Sequence, residues 1–167
     1  MSKHAATSAT ETIKAVKSDA ESAGEMIIAV PGFKLSVPIE VRFRDTDAMG
    51  HMNNAVHLTF LEVARAHYWK FLFGTKDYKD VGFIQARAEV DYRSPAYCGE
   101  TLLVGIRTEK LGDSSFTMRY QMRERDHGRK IADAGTVLVM YDYATQKKAS
   151  IPKNIREAIQ RFEGLLA

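Results

Sequence analysis

Apolar and polar residues alternate from Val37 to Arg44, with Val37, Ile39, Val41 and Phe43 on one side and Pro38, Glu40, Arg42 and Arg44 on the other. Period two predicts a strand with one buried face, and Pro38 places it at a strand start or a sheet edge. Asp45 closes it. From Asn54 to Phe73 the pattern becomes helical. Val56, Leu58, Phe60, Leu61, Val63, Ala64, Tyr68, Trp69, Phe71 and Leu72 leave no broad polar face. Such a helix, about 30 Å long, is expected to be wrapped by other structure. Its charges and histidines argue against a membrane span, and Gly74 is a natural C-cap.

Four more strands follow. Ile84, Ala86, Ala88, Val90 and Tyr92 alternate with charged or polar neighbours until Ser94-Pro95 ends the run. Leu102, Val104 and Ile106 mark the next strand, and Phe116, Met118, Tyr120 and Met122 the one after, with turns at Leu111–Ser114 and Asp126-His127-Gly128. The last runs from Lys130 to Tyr143. Its middle is apolar on both faces, so it belongs inside the sheet, and Gly135 marks a bulge or a close approach of another backbone. Pro152 opens a final helix with Ile155, Ile159, Phe162 and Leu166 on one face. The order β-α-β-β-β-β-α predicts an α+β fold: a five-stranded curled antiparallel sheet wrapped around one long central helix, plus a C-terminal helix. An open sheet edge invites a second copy, so a homodimer is the simplest assembly.

Residues 1–32 read as a loosely attached extension, with a thin helical stripe over residues 10–20; the domain proper spans residues 33–167. At 167 residues, 45% hydrophobic and 27% charged, the chain suits one soluble domain with a sizeable core. Cys98 is the only cysteine, so no internal disulfide forms, and a reducing compartment is expected. No secretory signal or membrane span is visible, which leaves the cytoplasm by default. A net charge of +3 is too small to argue for nucleic acid, and no zinc-finger or RNA-binding spacing accompanies it. Arg119, Arg123, Arg125, Arg129 and Lys130 either meet phosphates of a coenzyme A tail or simply face solvent.

The chemistry concentrates where the first strand meets the long helix, in Arg44-Asp45-Thr46-Asp47-Ala48-Met49-Gly50-His51-Met52-Asn53-Asn54. The first N–H groups of a helix lack intrahelical partners and point into such a junction. A carboxylate beside them suits attack on a polarised carbonyl. Asp45 ends the strand and pairs with Arg42, Arg44 or a backbone amide; Asp47 enters the loop. Both residues also suit plain turns and caps. Asn53 or Asn54 caps the helix, and the amides after it can stabilise an oxyanion. His51 either orients Asp47, positions water, binds substrate or bonds the backbone. His51, His57 and His67 form no metal-ligand pattern. Glu62 and Arg65 are spaced to pair along the helix.

The run Asp45-x-Asp47-x-x-Gly50-His51-x-Asn53-Asn54, followed by the apolar helix, resembles the start of hotdog-fold acyl-CoA thioesterases of the 4-hydroxybenzoyl-CoA thioesterase type. Asp91-Tyr92-Arg93-Ser94-Pro95-Ala96 and the ending from Ile151-Pro152 to Phe162 extend the resemblance over roughly residues 37–162. It implies a curled sheet around a helix, dimers or dimers of dimers with sites at the subunit interface, and an acyl-CoA substrate; no cofactor or metal is expected. It assigns the catalytic carboxylate to Asp47 and the polarising helix-start amide to about Asn54. With His51 these are the expected catalytic residues, and Asn53, Met49 and Gly50 are the expected substrate-binding ones. Plant-type acyl-carrier-protein thioesterases share the Asp and His-x-Asn-Asn elements, but Met49 replaces their catalytic Asn. The position after Asn-Asn that is commonly Tyr is His57, whose role stays open. The implied activity is hydrolysis of an acyl-CoA thioester, with Asp47 as nucleophile or general base. A non-catalytic acyl or CoA binder, a carrier-protein thioesterase and a hydratase are the alternatives.

Overall fold

The computed structural model describes residues 29–74 and 82–165. In chain order these form β1 (Leu35–Glu40), a 3₁₀ turn (Phe43–Asp45), α1 (Asn54–Phe73), β2 (Phe83–Tyr92), β3 (Thr101–Leu111), β4 (Ser115–Glu124), β5 (Lys130–Asp142), β6 (Lys147–Lys148) and α2 (Lys153–Glu163). The main sheet runs β1-β3-β4-β5-β2, entirely antiparallel, and β6 adds a two-residue pairing to β5. The sheet therefore has six strands rather than the expected five. Lys147 and Lys148 carry no apolar alternation, so nothing in the pattern marks them as a strand. The expected helix over residues 10–20 and the apolar position Leu166 lie outside the described residues.

β1 ends at Glu40, earlier than the alternation suggests. Val41 still hydrogen-bonds across to Glu100 and Gly99, but the chain then tightens into the 3₁₀ turn and Phe43 swings out to 84% exposure. The cause is Asp45, which pulls the turn closed on Arg42. Helix α1 occupies the expected span, with Asn53 as N-cap and Gly74 as C-cap. It is not wrapped on every side, however. His57, Phe60, Leu61, Ala64, Arg65, Tyr68 and Trp69 form one buried stripe, while Leu58 and Glu62 are exposed. The helix packs chiefly on β3 and β1, so β2 stands away from its outer flank.

The core is aromatic at the C-terminal half of α1. Trp69 stacks on Phe73 at 5.6 Å, meets Phe116 edge-on at 5.5 Å and lies 5.7 Å from Phe83. Such pairs add about 0.5–1.5 kcal/mol each beyond the area they bury. Leu102, Val104, Ile106, Phe116, Met118, Tyr120 and Met122 supply the sheet side, as their alternation predicts.

A register shift in β2 between Gln85 and Arg87 inverts the expected alternation before it. One extra residue in a strand changes which face its neighbours occupy. Phe83, not Ile84, therefore enters the core, and Gln85 meets α1 by accepting a hydrogen bond from Arg65 at 3.1 Å. Arg65 also donates to the Tyr120 hydroxyl at 3.4 Å and lies over the Phe83 ring. Arg65 takes this inward route as a member of the buried stripe, whereas Glu62, its expected partner, is exposed.

On the outer face, Arg119 in β4 bridges Glu89 in β2 and Glu109 in β3 at 2.7 and 2.9 Å. Its guanidinium crosses β5 directly above Gly135, where a Cβ would meet it at 2.6 Å. The close approach at Gly135 is thus made by side chains and not by another backbone.

The C-terminal helix starts one residue later than expected, with Pro152 as N-cap. It is fastened by Glu163, which accepts hydrogen bonds from the Tyr68 hydroxyl at 2.8 Å and from the Thr108 N–H at 2.9 Å. Burial raises the Glu163 carboxyl above its ordinary range; the two hydrogen bonds and nearby Lys34 and Arg107 oppose it less strongly. A raised carboxyl contributes stability that is complete below the unfolded pKa and is lost as pH rises through the folded one. Glu163→Gln keeps an acceptor for both donors without the buried charge. Thermal melts should therefore show the variant more stable than wild type at about pH 8, with the gap closing towards about pH 4.

Candidate active site

The junction before α1 is a small closed loop built on Asp45. Its carboxylate takes the Arg42 N–H at 2.9 Å and the Arg42 guanidinium at 2.8 and 2.9 Å. Its carbonyl takes the Asn53 N–H at 2.9 Å. Thr46 and Met52 form an isolated antiparallel bridge between these ends, and the Met52 N–H donates to the Ala96 carbonyl at 2.7 Å. The Arg42 side-chain hydrogen bonds, first, hold the Asp45 carboxyl below its usual range against the opposing effect of burial. Asp45 is therefore occupied as structure.

Asp47 lies within that loop. Its N–H donates to the His51 carbonyl at 3.1 Å, and its Oδ1 accepts the Met49 N–H at 2.9 Å. The loop turns at Gly50, where φ is +81° and only a residue without a Cβ sits comfortably. Asp47 keeps its second carboxylate oxygen, Oδ2, without a hydrogen-bond partner among the described residues.

At the helix start the amides are divided. The Asn53 N–H goes to Asp45, the Ala55 N–H to the Asn53 side chain at 2.9 Å and the Val56 N–H to the Asn53 carbonyl at 3.0 Å. The Asn54 N–H meets no acceptor among the described residues. β2 clamps this end: the Tyr92 hydroxyl donates to the Asn54 carbonyl at 3.1 Å, and its ring meets His57 edge-on at 4.8 Å.

Asp47, His51, Met52, Asn54 and His57 line one cavity of about 500 Å³ together with Tyr92, Arg93, Ser94 and Pro95. A carboxylate and an unpaired helix-start amide on a shared cavity are the two groups that addition to a carbonyl needs, one to drive attack and one to receive the oxyanion. Residues 41–159 match the thioesterase-like superfamily. The chain belongs to this family.

Among its relatives, a long-chain acyl-CoA thioesterase of Escherichia coli K12 is 26% identical over 133 residues, covering 77% of this chain and 98% of that protein. A 1,4-dihydroxy-2-naphthoyl-CoA hydrolase of Prochlorococcus marinus is 30% identical over 132 residues, covering 69% and 80%. A thioesterase of Thermus thermophilus, solved with coenzyme A and Zn, superposes with a TM-score of 0.74 at 37% identity, over 83% of this chain and 100% of that one. Among the described residues of the present thioesterase-like chain, no group of three or more His, Cys, Asp or Glu is placed to hold a metal ion.

Of the residues singled out in the sequence, Asp47, His51 and Asn54 come together on the cavity. Asn53 acts as the helix cap. Met49, 79% exposed, and Gly50 shape the loop and do not line the cavity in the single chain. His51 turns its Nδ1 towards the Met52 carbonyl at 3.4 Å. The basic run is largely committed elsewhere: Arg119 to the outer ladder, Arg123 to Gln121 and Gly128, Arg125 to Asp126, Arg129 to Glu100 and the Pro95 carbonyl, and Lys130 to Asp133. The cavity residues that spacing alone does not deliver are Tyr92 to Pro95. Their signal is the Asp91-to-Ala96 run, recognisable only through resemblance.

His57 is 4% exposed. Its Nδ1 faces the Asn53 carbonyl at 3.3 Å, and its Nε2 is buried without a partner. A carbonyl can only accept, so Nδ1 carries the proton and Nε2 presents a lone pair. Burial, first, holds the imidazole below its ordinary pKa. An unsatisfied buried acceptor of this kind costs about 1–3 kcal/mol.

The two aspartates separate by experiment. Asp45→Ala removes the loop's anchor and should lower the melting temperature clearly at about pH 7, with the loss shrinking in acid as wild-type Asp45 protonates. Asp47→Ala should leave stability within about 0.5 kcal/mol of wild type, as a loop substitution away from the core does.

Proposed function

We propose that this thioesterase-like protein hydrolyses acyl-CoA thioesters to a carboxylic acid and free coenzyme A. The observation that carries the reading is that Asp47 and Asn54, whose N–H meets no acceptor among the described residues, line one cavity. The relatives support the substrate class, since those compared are an acyl-CoA thioesterase and an aroyl-CoA hydrolase. In this mechanism the thioester oxygen sits on the Asn54 N–H. Charge gathers there as the carbonyl carbon becomes tetrahedral, so the amide binds the transition state more strongly than the substrate. Asp47 drives the attack, either by adding directly or by taking a proton from water. The bond to sulfur then breaks and coenzyme A leaves as its thiol, the sulfur taking up a proton; where Asp47 has added directly, water then cleaves the acyl-aspartate anhydride to release the acid and free Asp47.

The working form we propose is a homodimer, or a dimer of dimers, joined at β2. This strand is one of the two edges of the main sheet, ten residues long and exposed over most of its length. The exposed flank of α1 lies beside it. A second copy at this edge covers both and closes the side of the cavity that Tyr92 borders. A reducing, cytoplasmic setting suits the exposed, unpaired Cys98. Among the described residues, no helix is long and apolar enough to cross a membrane.

Asp47→Asn should lower kcat on the best acyl-CoA by about 100-fold or more, measured by thiol release across aliphatic and aromatic acyl-CoAs. Near-wild-type turnover in that variant rejects the assignment of Asp47. Binding without turnover by the wild type across the panel instead identifies an acyl-CoA binder. Ala88→Glu, which sets a charge on the exposed β2 edge, should shift sedimentation from dimer to monomer; an unchanged profile places the interface elsewhere.

A further inference from the structure

Arg93, Ser94 and Pro95 border the cavity that Asp47 lines, and their support changes in kind at Pro95. The Arg93 and Ser94 N–H groups both donate to the Ile131 carbonyl, at 2.9 and 3.3 Å, so β5 holds the chain as it leaves β2. Proline has no N–H, and this backbone pairing cannot continue through Pro95. A side chain takes over. Arg129, two residues before Ile131, donates through Nη1 to the Pro95 carbonyl and through Nη2 to Glu100 Oε1 at 2.5 Å. Its guanidinium also lies over the Tyr97 ring, 5.8 Å from the centroid. Glu100 completes the brace, since its Oε2 accepts the Tyr97 N–H at 2.9 Å. A planar fork that serves two acceptors and still offers a face to a ring is what distinguishes arginine from lysine.

The next carbonyl connects this brace to the chemistry. Ala96 C=O accepts the Met52 N–H at 2.7 Å. Met52 is bridged to Thr46 across the loop, and the Asp47 N–H donates to the His51 carbonyl between them. Arg129 therefore grips the carbonyl one residue before the one on which the Asp47 loop rests. Its own backbone is fixed, because its carbonyl takes the Glu124 N–H at 2.8 Å. Its side chain is 32% exposed, so it braces the loop from the surface and is no part of the core.

We propose that Arg129 is a positioning residue: through Pro95 and Ala96 it sets where the Asp47 carboxylate stands relative to the Asn54 N–H. The inference rests on the thioester-hydrolase reading of the same site. Asn54 is located separately, by the Tyr92 hydroxyl on its carbonyl. Asp45 closes the base of the loop, and Arg129 fixes the segment against which Met52 lies. Loss of the clamp leaves every group that meets the substrate in place in the sequence and shifts one of them in space. The cost then falls on kcat more than on KM.

The test uses the full chain well below each variant's melting transition. Arg129→Met keeps the length of the side chain and a contact with Tyr97 but has no donor. It should lower kcat on the best acyl-CoA by about 10-fold, with KM within about two-fold. Arg129→Lys offers a point donor in place of the fork and should recover part of the loss, to about three-fold below wild type. The same losses in kcat should appear with the matching acyl-N-acetylcysteamine thioester, which lacks the phosphates of coenzyme A. A rise in KM confined to acyl-CoA makes Arg129 a phosphate ligand and overturns the proposal. Wild-type kcat in either variant overturns it as well, and both outcomes leave thioester hydrolysis standing. If Arg129→Met fails to fold, Arg129→Lys on the two substrates decides by the same criteria. A wild type inactive on every thioester overturns the function and this role together.

Discussion

Helix α1 is too apolar to stand in water and too long for one small sheet to enclose. That constraint sets the fold. The sheet curls so that β1, β3, β4 and β5 deliver large side chains against one stripe of the helix, and Trp69 gathers Phe73, Phe83 and Phe116 around itself. What the sheet cannot cover is the flank facing β2. There Phe83 reaches Trp69, and the remaining contacts are few: Tyr92 on Asn54 and His57, and Arg65 on Gln85. The cavity lies at the N-terminal end of that flank, where burial is least complete and helix amides are available.

The two aspartates of the loop show how similar residues are given different work by their surroundings. Asp45 is surrounded by donors, two guanidinium nitrogens and the Arg42 N–H, and its own carbonyl secures Asn53. Asp47, two residues on, receives only the Met49 N–H among the described residues. A carboxylate saturated with hydrogen bonds is a poor base and a poor nucleophile, whereas one with a single restraining bond is oriented and still reactive. The loop thus uses one carboxylate to build the frame in which the other is presented.

Most of the scaffold was legible because its residues obey a simple period. Phe116, Met118, Tyr120 and Met122 alternate and are buried; Asn54 to Phe73 is helix from cap to cap. The errors arise where one local interaction overrides the period. The Arg42–Asp45 pair ends β1 early and expels Phe43, and the irregularity after Gln85 exchanges the roles of Phe83 and Ile84. Asp47, His51 and Asn54 were legible because they are close in sequence. Tyr92 and Arg93 reach the same cavity only through strand pairing, which no local spacing encodes. His57 was visible as a residue, but its unpartnered nitrogen is a property of packing.

Tyr92 touches the start of α1 twice, through its hydroxyl on the Asn54 carbonyl and its ring on His57. The helix start is therefore indexed to the sheet and not merely to the loop that precedes it. A loop alone would let the Asn54 amide wander by the amplitude of loop motion. Pinned to a strand, it inherits the tolerance of a β-sheet; in the proposed hydrolysis, a misplacement of about 1 Å at such a donor would cost roughly 100-fold in rate. The accuracy of the proposed site is in this sense a property of the most exposed strand of the main sheet.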